Sequence, residues 1–540
     1  MREWWRGAVI YQIYPCSFAD GNGDGIGDLP GVTQRLDYVA SLGVDGIWLS
    51  PFFVSPMRDF GYDVADYRDV DPIFGTLADF DRLIERAHGL GLKVIIDQVY
   101  SHTSDQHPWF QESRADRHNG KADWYVWADP KPDGTPPNNW LSVFGGPAWT
   151  WDSRRRQYWF HNFLQEQPDL DFHHPAVQEA VLAVARFWLD RGVDGFRIDV
   201  ANLFCHDPGL RDNPPAGGPR PERAYKMQRP LYTRNRPETL AFVARLRALL
   251  DGYPGTMAVA EIAAEDRLGT MIAYTDGADR YHTAYSFVFL GDAFSAGFIR
   301  QTIEEMQARS ATAWPAWAFS NHDSVRVVSR WGGEAAGPPF AKLLLALLTT
   351  LPGTVFIYQG EELGLPQADI PYERLRDPEA KAFWPHHRGR DGARTPMPWR
   401  ADMPNAGFSV AEPWLPVDPR HMALSVERQE GDAASVLSFC RRLLAWRRQH
   451  PALIEGGIRF LASDGPLLAF ERCHEGERIL CAFNFGDARR RLETPHSAEG
   501  YADSGLSFGA HIDDEGVQLA GWGLLLAPLK KTEPGGPQTS

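Results

Sequence analysis

Short, β-branched and aromatic apolar runs recur along this 540-residue chain, each ending in polar residues and most followed by a stretch of helical period. Eight can be marked: Ala8–Tyr14, Gly46–Ser50, Lys93–Val99, Gly195–Val200, Thr256–Glu261, Ala284–Leu290, Ala316–Asn321 and Thr354–Tyr358. Runs that are apolar throughout belong to strands buried on both faces, and strands separated by helices such as Leu77–Leu90 and Ala176–Arg191 are parallel. Eight such units predict a closed (β/α)8 barrel of the TIM type, within the α/β class. An open doubly wound sheet is the alternative, but no G-x-G-x-x-G follows the first run, which removes its usual cofactor argument.

Two stretches interrupt the alternation. Residues 103–170 are rich in Trp, Pro, Asn and Gly without helical period, too many for a structureless loop, and predict a small domain inserted after strand 3. Gly364–Pro419 is again Pro-rich and irregular; a helix is expected over Ala434–Gln449, followed by alternating strands such as Leu467–Arg472 and Arg478–Phe485. The expected organisation is a barrel over 1–102 and 171–454, the insertion over 103–170, a C-terminal antiparallel β domain of sandwich type over 455–532, and a tail over 533–540.

Composition narrows the function classes. With 55 Lys and Arg against 70 Asp and Glu the formal charge is −15, and no basic run stands out, so a nucleic acid or an anionic membrane would be repelled on average. The five Cys are scattered with no C-x-x-C, which reads as reduced thiols. Charges at Arg2, Glu3 and Arg6 stand where a signal peptide would be apolar, and the apolar stretch Leu343–Tyr358 is too short for a membrane span, so a cytoplasmic protein is expected. The 12% aromatic content suits sugar stacking, but it equally suits a large core.

In a parallel barrel the active site lies at the C-terminal ends of the strands. The third run ends in Asp97 and leads to His102, the fourth contains Arg197 and Asp199, the fifth ends at Glu261, and the seventh leads to Asn321, His322 and Asp323. One such residue would read as a cap or ion pair. Three carboxylates with an Arg and two His at one end of one barrel carry too much charge to bury without a function.

These segments resemble the α-amylase family of retaining α-glucoside hydrolases and transferases, and within it the α-glucosidase and oligo-1,6-glucosidase branch. The resemblance is carried by Asp97–His102 (DQVYSH), Gln167–Asp171 (QPDLD), Gly195–Asp199 (GFRID), Glu261–Ile262 and Phe319–Asp323 (FSNHD). Trp5–Pro15, Asp59–Asp63, Arg394–Trp399 and Asn405–Phe408 extend it along most of the chain. It implies Asp199 as nucleophile, Glu261 as general acid/base and Asp323 as the carboxylate that stabilises the transition state. Arg197 should then hold Asp199 ionised, and neighbouring carboxylates should raise Glu261. By the same resemblance Asp59, Tyr62, His102, Phe163, Gln167, Arg197, His322 and Arg394 would bind the terminal glucose, with an Asp59–Arg394 pair closing the pocket behind it.

Asp20, Asn22, Asp24 and Asp28 alternate with Gly, the pattern of hard oxygen ligands in a tight loop that a Ca²⁺ site needs. In the same branch these side chains and the backbone of Ile26 would hold one structural ion, Ca²⁺ or Mg²⁺. The chain departs from the family pattern in places. Ser101 stands where many α-amylases have a calcium-binding Asn, so no second ion is expected there; Asp171 replaces an Asn usual in oligo-1,6-glucosidases, while Val200 leans towards α-1,6 linkages.

The expected activity is a retaining, exo-acting α-glucosidase on short α-glucosides, transferring glucose to sugar or alcohol acceptors as well as to water, with no organic cofactor and no nucleic-acid or membrane partner. A trehalose or isomaltulose synthase type of isomerase would share the catalytic set, and a non-catalytic binding subunit is the alternative from another class. The long Pro-rich connection from Asn202 to Pro237 should emerge at the active-site rim and wall off sites beyond the scissile bond.

Overall fold

The computed structural model describes residues 3–530 apart from 220, 222, 334, 336, 494–499 and 514, so the tail expected over 533–540 lies outside the described residues. Eight parallel strands form its centre: β1 Val9–Ile13, β2 Gly46–Leu49, β3 Lys93–Gln98, β4 Gly195–Ile198, β5 Met257–Ile262, β6 Thr283–Ser286, β7 Ala316–Ala318 and β8 Thr354–Tyr358. They pair in the order β6-β5-β4-β3-β2-β1-β8-β7, and a parallel bridge between Ala284 and Pro315 closes the ring. The barrel expected from the alternation is present, with each strand inside or beside its apolar run.

Side chains of period two divide the burial. Ile10, Trp48, Ile95, Val259, Tyr285 and Phe356 fill the barrel interior, whereas their neighbours Val9, Tyr11, Ile47, Val94, Ile96 and Ala260 face the surrounding helices. Both faces are therefore apolar, which is why the runs do not alternate. The helices carry their own start signals. Thr76 and Asp79 form a capping box ahead of Leu77–Gly89, and the His174 ring accepts the Ala176 N–H ahead of Pro175–Asp190, with Pro at its first position.

The insertion after β3 folds as a helix, Pro108–Ala115, and a three-stranded antiparallel sheet of Trp127–Ala128, Gln157–Phe160 and Trp149–Asp152. Its own small core contains Trp140, Trp149 and Phe160. Bridges His102–Asp169 and Tyr125–Leu170 tie both its ends to the top of the barrel.

After the helix Val436–Arg448, six antiparallel strands between Gly457 and Pro528, among the described residues, form the expected C-terminal β domain. The 13-residue strand Gly516–Pro528 pairs with three neighbours through three ladders and so links the strands of the domain. Leu468, Phe470, Ile479, Cys481 and Phe483 point into the main core, and on the opposite face Leu467, Ala469, Leu480 and Ala482 pack with Leu492, Val517 and Leu519 in a second cluster. Fully buried Arg472 fastens this contact by donating to the carbonyls of Thr350 and Gly456 at 2.5 and 2.6 Å. All five Cys are free, as their scatter predicted. Among the described residues no helix is long and apolar enough to cross a membrane.

Candidate active site

Strand register brings the charged residues together. Arg197 on β4 lies opposite Asp97 on β3 and Val259 on β5, and Glu261 on β5 lies opposite Tyr285 on β6. The Arg197 side chain enters the barrel above the Trp48 ring, 5.1 Å from its centroid, and is fully buried. From there its Nη1 donates to Asp97 Oδ1 at 2.8 Å and Asp199 Oδ1 at 2.6 Å, while Nη2 pairs with Glu261 Oε1 at 2.7 Å. One guanidinium thus serves three carboxyl groups.

This sharing decides the proton inventory. Burial pushes Glu261 up to about 7 against the lowering by Arg197, and Asp199 and Asp323 add to the rise. Burial likewise raises Asp199 to about 7, with Arg197 lowering it and Asp97 raising it, and Asp97 is lifted to about 6. The expected elevation of Glu261 is present. Arg197 lowers Asp199 as expected, but a cation divided among three anions cannot offset the burial of each.

Asp323 has the opposite environment. Burial would raise it, but Arg394 and Arg390 hold it far below the usual carboxylate range. Arg394 Nη2 donates to its Oδ1 at 2.6 Å, and His322 Nε2 lies 3.1 Å from its Oδ2. The His322 ring, kept neutral by burial, stacks on Tyr62 at 5.4 Å between centroids. Gln12 Nε2 donates to His322 Nδ1 at 2.8 Å, so Nε2 carries the ring hydrogen, which the Tyr62 hydroxyl accepts at 2.5 Å while itself donating to Asp97 Oδ2 at 2.9 Å.

Above these groups lies a cavity of about 480 Å³. Of the residues expected from sequence, Asp59, Tyr62, His102, Phe163, Gln167, Asp199, Glu261 and Asp323 line it. Arg197, His322 and Arg394 do not; each is fully buried behind that lining and acts on the residues in front of it. The expected Asp59–Arg394 pair is also corrected. Asp59 Oδ1 instead accepts from Arg390 Nη2 at 2.7 Å, and Arg390 is held in turn by Asp377 at 2.8 Å. A 3-10 turn, Asp391–Ala393, separates the two arginines and sends one to the rim and the other beneath it, where Arg394 Nε also donates to the His322 carbonyl at 2.8 Å. Arg390 and Asp377 were missed because they lie in the irregular Gly364–Pro419 segment, with no periodicity to give them a direction. The insertion contributes Gln167, whose Nε2 donates to Asp59 Oδ2 at 3.1 Å, and Phe163, whose ring lies 5.3 Å from that of His102.

Immediately after Asp199, Val200 adopts φ 36°, a left-handed backbone strained for a β-branched residue. The turn aims its N–H at Glu261 Oε2, 3.2 Å away, and so ties the two neighbouring carboxyl groups through the backbone as well. The connection from Asn202 to Pro237 does reach the rim: Arg223, Tyr225, Lys226 and Arg234 line the mouth of the cavity. It is anchored on two sides, by Trp140 Nε1 donating to the Arg211 carbonyl at 2.9 Å and by the Arg223–Glu379 pair at 2.7 Å.

The Asp20–Asp28 loop sits away from the cavity, joined to the segment after β8 by Asp20 N–H to Phe408 O and Trp414 N–H to Gly25 O. Its carboxylates are engaged by backbone N–H groups, and Asp20, Asp24 and Asp28 do not bring three oxygens within 4.8 Å of one another. Asp20 accepts from the N–H groups of Asn22, Gly23 and Gly25, Asp24 from Ile26, and Asp28 from Gly21, Asn22 and Gly31. Burial raises Asp28, and the Asp20 charge adds to that rise. Hard oxygen donors that repel one another across a tight loop fit a divalent hard cation.

Removing Arg197 tests the central cluster. Arg197→Met is expected to lower the unfolding free energy by about 3–5 kcal/mol at pH 7, because buried carboxylates lose their only shared cation. Asp97, Asp199 and Glu261 have raised native pKa values, so between their unfolded values and about 7 the native state binds more protons and stability falls as pH rises. The deficit of the variant should therefore shrink towards pH 5. Denaturant unfolding of both proteins at pH 5 and 7 measures it; an equal deficit at both would contradict the charge argument.

The geometry agrees with what the chain is similar to. The sequence profile of the alpha-amylase catalytic domain matches residues 12–456. A probable alpha-glucosidase of Rhizobium meliloti is 54% identical, over 98% of this chain and 97% of that protein. An oligo-1,6-glucosidase of Heyndrickxia coagulans is 37% identical, over 94% and 97%. Among solved structures, the alpha-glucosyl transfer enzyme XgtA superimposes with a TM-score of 0.94 at 52% identity, covering 98% of this chain and 100% of that one. The trehalulose synthase MutB from Pseudomonas mesoacidophila MX-45 does so at 0.88 and 32%, with the same coverage. With an eight-stranded barrel, a carboxylate cluster at the ends of its strands and relatives of this closeness along nearly its whole length, the chain belongs to the α-amylase family of glycoside hydrolases.

Proposed function

We propose that the protein is a retaining, exo-acting α-glucosidase that cleaves terminal non-reducing α-glucosyl residues from short α-glucosides of the maltose α-1,4 or isomaltose α-1,6 type. The observation that carries this reading is the pair Asp199 and Glu261, gripped by one guanidinium at the floor of a pocket whose far side is closed by Asp59 and Arg390. A shared anchor keeps the two carboxyl groups close, as a retaining mechanism with its separation of about 5–5.5 Å requires. The Asp199 carboxylate attacks the anomeric carbon while the glycosidic C–O bond breaks and the proton of Glu261 passes to the leaving oxygen. Glu261, now ionised, takes the proton of an incoming water or alcohol, whose oxygen attacks the same carbon and frees Asp199. Asp323, held anionic by its two arginines, faces the positive charge that develops on the sugar ring.

Similarity to an alpha-glucosyl transfer enzyme supports passage of glucose to sugar or alcohol acceptors. Similarity to a trehalulose synthase supports, at lower identity, the second reading of a sucrose isomerase with the same catalytic set; the products formed from maltose, isomaltose and sucrose separate the two. Asp199→Asn should abolish turnover, whereas Glu261→Gln should lose natural substrates but still be glycosylated by aryl glucosides with good leaving groups. In the native enzyme kcat/KM should fall as the pH rises above about 7, where Glu261 gives up its proton, and that limb should vanish in Glu261→Gln with an activated substrate. Near-normal activity of either variant on maltose or isomaltose would refute the assignment.

The closed end of the pocket accounts for exo action, and the anchored wall of 202–237 accounts for short substrates. Arg390→Ala should open the closed end and reduce the preference for maltose over maltohexaose about tenfold or more, an effect of lost substrate positioning. Steady-state kcat/KM across maltose to maltohexaose measures it, and an unchanged ratio would remove Arg390 from the specificity wall.

One structural divalent ion, Ca²⁺ or Mg²⁺, would be held by Asp20, Asn22, Asp24, Asp28 and the backbone of Ile26. Its chemistry there is cross-linking of the loop, with no part in the reaction. Binding to the native state alone should raise Tm in proportion to the logarithm of ion concentration, and Asp24→Ala should abolish that rise. Thermal melts across a Ca²⁺ series, with no shift in the native protein, would reject the site.

A further inference from the structure

Asp171, His173 and His206 form a second polar cluster that the proposed chemistry leaves unused. Each offers one ligand-type atom, and the three atoms lie within 4.8 Å of one another. Asp171 and His173 stand where the chain leaves the insertion, just before the helix Pro175–Asp190; His206 stands in the connection that follows β4 and Asp199.

The state of the three side chains points to a ligand. His206 is 8% exposed, with its ring edge-on to Trp140 and His173, and among the described residues neither of its ring nitrogens has a hydrogen-bond partner. Neither nitrogen is enclosed, so an ion with its water can approach the ring. His173 Nε2 lies 2.8 Å from the His206 carbonyl, which fixes Nε2 as the protonated nitrogen and leaves the Nδ1 lone pair available. Orientation of an imidazole by a backbone carbonyl on its other nitrogen is the arrangement found around metal-binding histidines. The Asp171 carboxylate accepts the His173 N–H at 3.0 Å and has no Lys or Arg within ion-pair distance among the described residues.

We propose that Asp171, His173 and His206 bind one transition-metal ion of the Zn²⁺ type, with water completing the coordination. Two imidazole nitrogens and one carboxylate oxygen suit Zn²⁺ and not Ca²⁺ or Mg²⁺, which take oxygen ligands. Bonds of about 2.0–2.1 Å in a tetrahedron separate ligand atoms by about 3.3 Å, so the cluster closes inward on binding, and His206 has no hydrogen bond to break in doing so. The Asp171 carboxylate supplies the negative charge that the two neutral imidazoles lack. The ion joins the exit of the insertion to the start of the 202–237 wall and stiffens the rim of the pocket.

The test uses the full chain, stripped with a chelator and desalted. Reloaded with Zn²⁺ and passed over a sizing column, it should retain about one Zn²⁺ per chain, and Co²⁺ in its place should give the visible absorption of a tetrahedral centre. His206→Gln and Asp171→Asn should each weaken Zn²⁺ binding about tenfold or more, and either variant suffices if the other does not fold. Asp24→Ala, in the separate oxygen loop, should leave Zn²⁺ binding unchanged. No retained Zn²⁺ and no Co²⁺ band, an affinity unaltered in the folded cluster variants, or a Zn²⁺ site lost in Asp24→Ala would each overturn the proposal.

Discussion

The buried guanidinium of Arg197 is the interaction around which the active end of the barrel is organised. It brings Asp97, Asp199 and Glu261 to within 2.6–2.8 Å of its nitrogens, and no other cation reaches them so closely among the described residues. Its shortage of charge is as consequential as its presence. Three carboxylates around one cation cannot all be ionised in a buried site, so a proton is retained near neutral pH, which is what an acid/base catalyst needs. Asp323, with Arg390 and Arg394 beside it, is kept anionic within the same cavity. One pocket thereby holds carboxyl groups of contrasting protonation, set by how many cations each one shares.

Support for that cluster is layered from below and above. The Trp48 ring underlies Arg197, and the hydrogen-bond chain from Gln12 through His322 and Tyr62 to Asp97 holds one tautomer and one direction. Above it, three segments that are distant in the chain build the rim: the insertion through Phe163 and Gln167, the connection after β4 through Arg223, and the stretch beyond β8 through Arg390. Each is tied to a neighbour by specific bonds, such as Trp140 to the Arg211 carbonyl and Arg223 to Glu379, so the wall has a definite shape. A site that positions a sugar needs its contact groups held in this way, because small displacements forfeit much of the rate advantage of proximity.

The C-terminal sheet illustrates where pattern reading stops. Alternating runs such as Leu467–Arg472 predict strands with two different faces, and those strands are present. Alternation does not say what covers each face: on one, Phe294 and Phe340 of the barrel pack on Phe485 and Trp522, and on the other Leu480 and Ala482 pack with Leu492, Val517 and Leu519. The same limit applies to charge. That Arg197 and Asp199 share a face follows from the two-residue period, but the number of carboxylates meeting that arginine depends on the register among β3, β4 and β5.

By itself the sequence determined the eight-unit barrel, the place of the insertion and the gathering of Asp199, Glu261 and Asp323 at one end of it, because apolar runs and strand-end polar residues are local signals that a parallel barrel converts into one location. Only the tertiary structure decided which arginine closes the pocket. Arg390 and Arg394 are four residues apart in an aperiodic segment, and the turn between them, set by packing against the barrel rim, sends one to Asp59 and the other beneath to Asp323. Likewise only folding placed His206 beside Asp171 and His173, since side chains more than thirty residues apart in irregular chain meet through tertiary contacts that no local pattern encodes.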